Sequence, residues 1–497
     1  MARKFQNFIN GKWVDAKSGK TFENRNPAHW DEVIGTFPKS GKEDVEEAVQ
    51  CARKAFETWR LVPAPKRGDI MRAVGDLMVA RKEDLAQMMT REMGKVLAET
   101  RGDVQEGIDT AYYASSEGRR LFGHTVPSEL PNKFNMAMRV PIGVAGIITP
   151  WNFPMAIPTW KIFPALLCGN TVVFKPASDT PATATALVEI LAEAGVPPGV
   201  VNIVHGGGGE VGNAIVGHPD VDLVSFTGST LVGKKISEMA AATLKRVSLE
   251  LGGKNAQMVM PDASMELALE GVLWGAFGTT GQRCTATSRL LLHEKIHDMF
   301  VEMLVRRVNS LRLGDGLKEG VDVGPCVNES QQQTVQSYVE IGIKEGATLQ
   351  AGGAVPREPE LAHGWFYRPT VFTNVLPHHR IATEEIFGPV LSVIKFRTLD
   401  EGIRIMNDTI YGLSSSVYTA NINDAYTAIR DIKAGITYIN APTIGAEAHM
   451  PFGGVKQTGN GHREGGWTVY EFFSEWKTVY VDYSGGLQRA QIDNYES

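Results

Sequence analysis

Residues 143–175 read GVAGIITPWNFPMAIPTWKIFPALLCGNTVVFK, with two short apolar runs on either side of a helical segment. The runs at 144–149 and 171–174 predict buried strands. Residues 154–168 predict a helix that ends at Gly169-Asn170, because these two residue types tolerate the left-handed backbone of a helix C-terminus. A strand, a helix and a strand in this order are typical of two parallel strands joined by a crossover helix.

The same alternation continues toward residue 254. Further strands are predicted at 200–204, 223–226 and 247–250, and a helix is predicted from its N-cap, Thr180, to residue 194. This pattern indicates an α/β fold with a parallel sheet, in which ligands bind at the carboxyl ends of the strands. Polar or glycine-rich segments stand at each of these ends: 149–152, 175–178, 205–209, 227–230 and 250–253.

The rest of the chain contains further elements on both sides of this unit, and no internal repeat. Turn dipeptides, caps and apolar periodicity predict their positions. In chain order they are a hairpin at 5–14 around Asn10-Gly11, helices at 42–60 (capped by Ser40), 65–92 and 96–120, a strand pair at 133–141, a helix at 264–277 that opens a second domain, and a strand at 472–483.

Size and composition narrow the class of protein. A chain of 497 residues is too long for one hydrophobic core, so two or three domains are expected. The net charge of −6 argues against a nucleic-acid or anionic-membrane partner. Residues 1–13 lack a signal-peptide pattern, and prolines interrupt the most apolar stretch, 140–158, so it cannot span a bilayer. The four cysteines match neither a disulfide framework nor a metal motif, so we expect a cytoplasmic location and no metal.

Cys284 is the candidate nucleophile. It stands in residues 275–289, GAFGTTGQRCTATSR, between a glycine-rich turn and small hydroxyl residues, directly after Arg283. A thiol is nucleophilic as its thiolate, which a nearby cation or backbone N–H groups stabilise. The alternative is a small buried residue, but a buried structural cysteine usually lies in an apolar run.

Three further polar residues are candidates for the same site. Glu250, at a strand end, could deprotonate water or the thiol if burial raises its pKa; the alternative is a salt-bridged surface glutamate. Asn152 has an amide that could donate to an oxyanion together with the Cys284 N–H; the alternative is a turn-forming asparagine. Glu385 could hold a ribose diol; the alternative is a charge at a helix end.

Three short motifs suggest competing chemistries. Gly207-x-Gly209-x-x-Gly212 follows a predicted strand, as a dinucleotide-binding fingerprint does, although consecutive glycines satisfy many patterns. Residues 228–235 nearly match a phosphate loop but carry lysine where the magnesium-binding hydroxyl belongs, so we do not expect hydrolysis of a nucleoside triphosphate. Residues 293–297 read HEKIH, but His293 ends an apolar strand, so the two histidines should not converge on one zinc ion.

Several motifs resemble those of the aldehyde dehydrogenase superfamily over almost the whole chain. They are PWNFP at 150–154, Lys175-Pro176, FTGST at 226–230, LELGGKN at 249–255, GQRC at 281–284, EIFGP at 385–389 and PFGG at 451–454. The resemblance implies a Rossmann-like cofactor domain, an α/β catalytic domain and a small β oligomerisation arm. The implied bounds are 1–124 and 143–254 for the cofactor domain, 255–455 for the catalytic domain, and 125–142 and 456–497 for the arm and the C-terminal tail.

The resemblance also implies a mechanism and a cofactor, NAD or NADP. Cys284 is expected to attack an aldehyde, Asn152 and the Cys284 N–H to stabilise the oxyanion, and Glu250 to activate water for hydrolysis of the thioester. A homodimer or homotetramer without nucleic-acid or membrane partners is implied. The candidate cofactor-binding residues are Ile148, Pro150, Trp151, Lys175, Ser178, Gly208, Phe226, Gly228, Ser229, Val232, Gly233, Leu251, Glu385 and Phe387.

Four positions bear on the product, the substrate and the cofactor. Glu250 implies a free acid product, since family branches that form acyl-coenzyme A lack it. Trp160 stands where one kind of succinic semialdehyde enzyme has a carboxylate-binding arginine, which argues against that substrate. Gly278 replaces a common phenylalanine and suggests a roomier pocket. Ser178 replaces a glutamate frequent in NAD-specific relatives and predicts that NADP is also accepted.

Two alternatives for the function stay open at this point. Residues 284–289 and 445–452 resemble bacterial 2-oxoglutarate-semialdehyde dehydrogenases, which suggests a specific semialdehyde dehydrogenase rather than a broad aldehyde oxidiser. A non-catalytic family member is the other alternative, although both Cys284 and Glu250 are present.

Overall fold

The computed structural model describes residues 3–493. Its strands are β1 Arg3–Lys4, β2 Asn7–Ile9, β3 Lys12–Val14, β4 Thr21–Asn26, β5 His29–Pro38, β6 His124–Pro127, β7 Lys133–Pro141, β8 Val144–Ile148, β9 Thr171–Lys175, β10 Val201–Ile203, β11 Leu223–Thr227, β12 Arg246–Glu250, β13 Asn255–Val259, β14 Thr287–His293, β15 Thr348–Ala351, β16 Thr370–Thr373, β17 Val390–Phe396, β18 Ser414–Tyr418, β19 Ile436–Ile439 and β20 Ser474–Asp482.

The helices lie between these strands in the alternation that the sequence predicts. They are α1 Lys42–Trp59, α2 Ala64–Ala80, α3 Lys82–Met93, α4 Leu97–Glu117, α5 Ala156–Cys168, α6 Pro181–Glu193, α7 Asn213–Gly217, α8 Thr230–Ala241, α9 Met265–Phe277, α10 His297–Asn309, α11 Glu329–Lys344, α12 Arg380–Thr383, α13 Leu399–Asn407, α14 Ile422–Asp431 and α15 Val469–Phe473. No helix within residues 3–493 has both the length and the apolar character needed to cross a membrane.

The first large sheet has the strand order β12-β11-β8-β9-β10-β2-β3. Strands β8 to β12 are parallel, which confirms the prediction from 144–250, and the predicted N-terminal hairpin β2-β3 adds antiparallel strands at one edge. Within the parallel part of this sheet, the chain passes from β8 outward to β9 and β10, and then returns to form β11 on the other side of β8. The order therefore reverses between β8 and β11, where open parallel sheets bind ligands at the carboxyl ends of their strands.

The second large sheet has the order β15-β16-β17-β14-β13-β18-β19. All its strands are parallel except β15, which pairs antiparallel at the edge. Only residues 251–254 separate the end of β12 from the start of β13. This short connection brings the carboxyl end of β12, with Glu250, close to the amino end of β14, which Cys284 precedes.

Helix α5 forms the centre of the core beside the first sheet. All thirteen of its residues are buried, including Lys161, and the helix packs against α2, α4 and the strands β8 and β9. It ends at Gly169, whose φ of 96° is left-handed, as the sequence predicts. A helix buried on every side sets the position of the polar loop that precedes it, which contains Asn152.

Several helix boundaries differ from the predictions. Gly41, not Ser40, is the N-cap of α1, because the Ser40 hydroxyl accepts a hydrogen bond from Asn7 Nδ2 at 2.9 Å. The predicted helix over 65–92 is two helices, α2 and α3, separated at Arg81, where ψ is 11°. Thr180 is the N-cap of α6, but its side chain makes no capping hydrogen bond.

A third sheet of three strands, in the order β20-β7-β6, projects from the two larger ones. Residues 133–141 form one strand of it, β7, and not the predicted strand pair; their partners are β6 and the C-terminal β20. The predicted C-terminal strand starts at Ser474, because residues 469–473 form the short helix α15. A small sheet of β1, β5 and β4 completes the N-terminal part of the chain.

Candidate active site

A tight turn holds Cys284 in place. Residues 278–281 form a 3₁₀ turn in which Thr279, Thr280 and Gly281 have positive φ, and a Cβ at Gly281 would collide with the Gly388 carbonyl oxygen. The Cys284 carbonyl accepts a hydrogen bond from Asn255 Nδ2 at 2.7 Å. The half-buried thiol is thus fixed by its backbone, with its side chain left available.

Cys284 and Glu250 line one cavity of about 350 Å³. Aromatic and aliphatic side chains cover most of its wall, and the polar groups are concentrated on α4 and around the cysteine. The lining residues include Glu99, Gly102, Asp103, Glu106, Trp160 and Arg283. The cavity therefore joins the predicted nucleophile and the predicted base to a space large enough for a small organic substrate.

The thiol is not activated in the way the sequence suggests. Burial, with smaller contributions from the carboxylates of Glu385 and Glu250, raises the pKa of Cys284 to about 12. Arg283 does not oppose this effect, because its guanidinium is paired with Glu99 at 3.0 Å and also donates to Thr279 Oγ1. Without a bound cation, Cys284 is a neutral thiol at physiological pH.

Glu250 is buried and has no partner. Only 3% of its surface is exposed, and neither carboxylate oxygen has a hydrogen-bond partner within residues 3–493. Burial raises the pKa of Glu250 well above its usual value, and the nearby Glu464 raises it further. The alternative of a salt-bridged surface glutamate is therefore wrong, and a carboxyl with a raised pKa is suited to taking a proton from water or a thiol.

The sequence reasoning missed an ion pair next to Glu250. Lys161, fully buried in α5, pairs with Glu464 and donates a hydrogen bond to Ser225 Oγ at 2.9 Å. Glu464 raises the pKa of Glu250, whereas the positive charges of Lys161 and Arg463 lower it. A lysine in the otherwise apolar stretch 156–168 was the one feature in the sequence that could have revealed this pair.

Asn152 lies in the loop that follows the carboxyl end of β8. It is buried, and its Oδ1 has no hydrogen-bond partner in the described part of the chain. The next residue, Phe153, lines the cavity that contains Cys284. An amide that is buried beside the cavity and not used within the protein is available for a ligand.

The candidate cofactor residues near β9 and β11 lie where the strand order reverses. Burial lowers the pKa of Lys175 to about 8, and its Nζ donates to the Pro176 carbonyl at 2.7 Å. Ser229 is the N-cap of α8 and accepts from Val232 N. The start of α8 therefore presents backbone N–H groups and a positive helix dipole at this crevice.

The glycines near the start of α8 let the backbone pack closely against neighbouring side chains. Added Cβ atoms would lie 2.5 Å from the Phe226 ring at Gly228 and 2.5 Å from Leu251 at Gly233. Nothing lies within 4 Å of an added Cβ at Gly208. A Cβ at Gly212 would be 3.9 Å from Ile148 and from Lys175, so the glycine-rich segment adjoins the predicted cofactor residues.

Glu385, Phe387 and Trp151 lie on the other side of the same region. Glu385 Oε1 accepts from Gly253 N at 2.9 Å, and burial raises the pKa of Glu385 to about 7. Phe387 has a φ of 58°, and its ring makes an edge contact with Trp151 at 5.4 Å between centroids. Trp151 follows Pro150 in the loop after β8, so the two sheets meet here.

Two other sequence features have a structural explanation. His293 ends β14 and His297 begins α10, so the HEKIH motif is not one helix and its histidines do not share a helical face. Gly278 does not enlarge the cavity as expected: an added Cβ would lie 2.9 Å from Glu99 Oε1 and 3.1 Å from Trp274. The space beside Gly278 is already filled by these two side chains.

Known proteins resemble this chain along nearly its full length. The profile of the aldehyde dehydrogenase family matches residues 13–479. The alpha-ketoglutaric semialdehyde dehydrogenase of Bacillus subtilis is 43% identical, over 96% of this chain and 98% of the relative. The corresponding Haloferax volcanii protein is 44% identical, over 96% and 99%. A crystal structure of Staphylococcus aureus betaine aldehyde dehydrogenase in complex with NAD+ superposes with a TM-score of 0.95 at 37% identity, covering 97% of this chain and 96% of that one.

Proposed function

This chain belongs to the aldehyde dehydrogenase family, and on that premise we propose that Cys284, Glu250 and Asn152 are its catalytic residues. The protein is an NAD(P)-dependent enzyme that oxidises an aldehyde to a carboxylic acid. One observation carries the residue assignment: Cys284 and an unpartnered Glu250 line the same cavity. The alternative of a non-catalytic family member is therefore rejected.

The reaction proceeds through a covalent bond to Cys284. The thiol gives up its proton to solvent, its sulfur attacks the aldehyde carbon, and the carbonyl electrons move to oxygen, where Asn152 Nδ2 and the Cys284 N–H donate hydrogen bonds. NAD(P), held by the residues named below, would supply the acceptor for the hydride, and Cys284 would then carry the acyl group as a thioester. Ionised Glu250 then takes a proton from water, the water oxygen attacks the thioester, and the acid leaves as the thiol re-forms.

Features of the first sheet support NAD(P) binding at the carboxyl ends of β8, β9 and β11. The N-terminus of α8 and Lys175 suit a pyrophosphate, and the open surface at Gly208 gives it access. The same placement supports six further cofactor-binding residues, which are Phe226, Gly228, Ser229, Val232, Gly233 and Leu251. The proposed site continues toward Cys284 through Ile148, Pro150, Trp151, Glu385 and Phe387. In the other direction, Ser178 follows Lys175 and completes the proposed set.

We propose a semialdehyde as the substrate. The support is the 43–44% identity, over nearly the whole chain, to two enzymes named for α-ketoglutaric semialdehyde. An assay of NAD(P)H formation across acidic, neutral and cationic aldehydes tests this proposal. Turnover of neutral aldehydes at equal or higher kcat/KM would contradict it.

The proposed domains follow the sheets. Residues 1–124 and 143–254 bind the cofactor, 255–455 carry the nucleophile, and 125–142 with 456–497 form the arm and tail; residues 1–2 and 494–497 lie outside the described part of the chain. We propose a homodimer or homotetramer, supported by the exposed apolar side chains of the arm. A cytoplasmic location is supported by four unpaired cysteines.

The test is Glu250→Gln, which should form the thioester and then stall. Glutamine cannot take a proton from water, so a rapid-mixing trace should show one burst of NAD(P)H followed by turnover at least ~10²-fold slower than that of the wild type. Mass spectrometry should find the acyl group on Cys284. Cys284→Ala should give neither burst nor adduct, whereas Cys51→Ser should behave as wild type. A normal steady state in Glu250→Gln would remove Glu250 from this role.

A further inference from the structure

One face of α4 forms an acidic wall of the catalytic cavity. Its lining residues are Ala98, Glu99, Gly102, Asp103 and Glu106, whose spacing places them on one side of the helix. The other side chains around the cavity are mainly aromatic and aliphatic. Three carboxyl groups in such a wall need partners, either in the protein or in a ligand.

Two of the three carboxylates are neutralised within the protein. Glu99 accepts from Arg283 Nη2 at 3.0 Å and from Thr279 N at 2.8 Å. Asp103 pairs with the fully buried Lys95 at 2.7 Å and accepts from Ala156 N at 2.7 Å. Arg283 donates from Nε to Thr279 Oγ1 and from Nη2 to Glu99, so Nη1 is its nitrogen without a hydrogen bond within residues 3–493.

Besides Thr227 Oγ1 and the two carboxylate oxygens of Glu250, two buried polar atoms at the cavity have no partner within residues 3–493. They are Glu106 Oε1 and Trp160 Nε1, and both residues line the cavity. Burial and, to a smaller extent, the nearby Asp103 raise the pKa of Glu106 to about 8, so at neutral pH Glu106 is mostly protonated and can donate a hydrogen bond. The indole N–H of Trp160 can only donate.

We propose that Trp160, Glu106 and Arg283 bind the distal carboxylate of the aldehyde substrate. This proposal rests on the proposed function, and it assigns specificity-determining residues to it. All three groups offer N–H or O–H donors, which a carboxylate accepts and an ammonium group does not. Trp160 thus supplies a neutral donor in place of a guanidinium, and Arg283, which is already paired with Glu99, adds a further N–H donor.

The cavity has room for such a substrate beside these donors. An added Cβ at Gly102 would meet nothing within 4 Å, so the wall between Glu99 and Glu106 is open. A substrate with an apolar end would leave the Trp160 and Glu106 donors buried and unsatisfied, whereas a carboxylate satisfies both. Discrimination between the two kinds of end should therefore be large.

The test compares 5-oxopentanoate, pentanal and betaine aldehyde, which are anionic, neutral and cationic. Wild type should favour 5-oxopentanoate over the other two by at least ~30-fold in kcat/KM. Trp160→Phe and Glu106→Leu should each reduce this preference about tenfold, through KM with kcat little changed, since distal contacts bind the ground and transition states equally. Trp467→Phe, at an exposed tryptophan, should leave the preference unchanged.

The pH dependence separates binding from a structural role. The charged and titratable groups around Glu106 are Asp103, Asp109, Lys95, Arg283 and Tyr438. As pH rises through about 8, Glu106 ionises and repels the carboxylate, so KM for 5-oxopentanoate should rise while that for pentanal does not. In Glu106→Gln, which keeps a donor and does not ionise, KM for 5-oxopentanoate should stay flat.

Each result distinguishes the two proposals. A wild type that prefers pentanal or betaine aldehyde, or variants that keep the full preference for 5-oxopentanoate, would overturn the carboxylate site while leaving Cys284 and Glu250 in their roles. A protein that oxidises none of the three aldehydes and forms no adduct on Cys284 would overturn the proposed function itself.

Discussion

At the scale of single residues, Cys284 and Glu250 both have pKa values raised by burial, and their charges repel each other. The resting site therefore disfavours the thiolate and the carboxylate that the proposed reaction needs. A cation near both groups lowers both pKa values, and the oxidised nicotinamide ring is such a cation. Binding of the cofactor would thus also prepare the nucleophile.

The thiol can be tested directly with iodoacetamide in the absence of cofactor. Alkylation requires the thiolate, and a pKa of about 12 means that the thiolate fraction rises about tenfold per pH unit up to pH 10. The labelling rate of Cys284, followed by peptide mass spectrometry in a Cys51→Ser background, should rise without a plateau in this range. A plateau near pH 8 would mean that the resting thiol is already activated.

We expect Ser178 to influence how the 2′ position of the cofactor is read, and NADP to be accepted as well as NAD. Its hydroxyl is exposed and donates to the Gly206 carbonyl at 3.3 Å, and Asp179 is held by Asn328 at 2.8 Å. A carboxylate at 178 would repel a 2′-phosphate by about 1–4 kcal/mol. Ser178→Glu should lower kcat/KM for NADP about tenfold more than for NAD. Ser178→Ala should change the two cofactors equally, and equal losses in Ser178→Glu would contradict this role.

The identity of these residues could be predicted from sequence, but their partners could not. Cys284 and Glu250 stand in local patterns that indicate reactive groups. Lys161 and Glu464 are 303 positions apart, and only the buried helix and the C-terminal segment together bring them to Glu250. Arg283 is next to Cys284 in sequence, yet the turn at 278–281 directs its side chain to Glu99.

At the scale of elements, α6 has its N-terminus capped by a side chain from another helix. Glu92, in α3, accepts from Ala182 N at 2.5 Å, Thr183 N at 2.9 Å and Thr183 Oγ1 at 2.8 Å, while Thr180 makes no capping bond with its side chain. The sequence predicts Thr180 because caps are usually local. Tertiary contact between α3 and α6 replaces the local cap, and sequence reasoning has no means to detect it.

Glu92→Gln should therefore destabilise the protein, whereas Thr180→Val should not. Glutamine has one acceptor oxygen, so a buried backbone N–H or hydroxyl of α6 would lose its partner, at a cost of about 1–3 kcal/mol. Urea unfolding followed by tryptophan fluorescence should show a lower midpoint for Glu92→Gln and a change within ~0.5 kcal/mol for Thr180→Val. The opposite ranking would return the capping role to Thr180.

At the scale of the whole molecule, the catalytic cavity arises from the way two sheets are joined. β12 ends at Glu250 and β13 begins at Asn255, which itself holds the Cys284 carbonyl. Four connecting residues therefore place the end of one sheet against the start of the next. The strands and helices of each sheet follow from local periodicity, but the closeness of Glu250 and Cys284 depends on this connection and on β13 lying beside β14.

The arm of β20, β7 and β6 is the part of the molecule least able to stand alone. A three-stranded sheet needs a covered apolar face to be stable, and the register of β7 with β20 gathers one such face on alternate residues. Its members are Phe134, Met136, Met138, Val479 and Val481, three of them more than 40% exposed. We infer that a second copy of the chain covers this face.

Val479→Asp should then lower the assembly mass measured by sedimentation velocity, because a buried unpaired charge destabilises the contact. Thr478→Asp, at the neighbouring position on the opposite face of β20, should leave the mass unchanged. If both variants keep the wild-type mass, the contact between subunits lies elsewhere on the molecule.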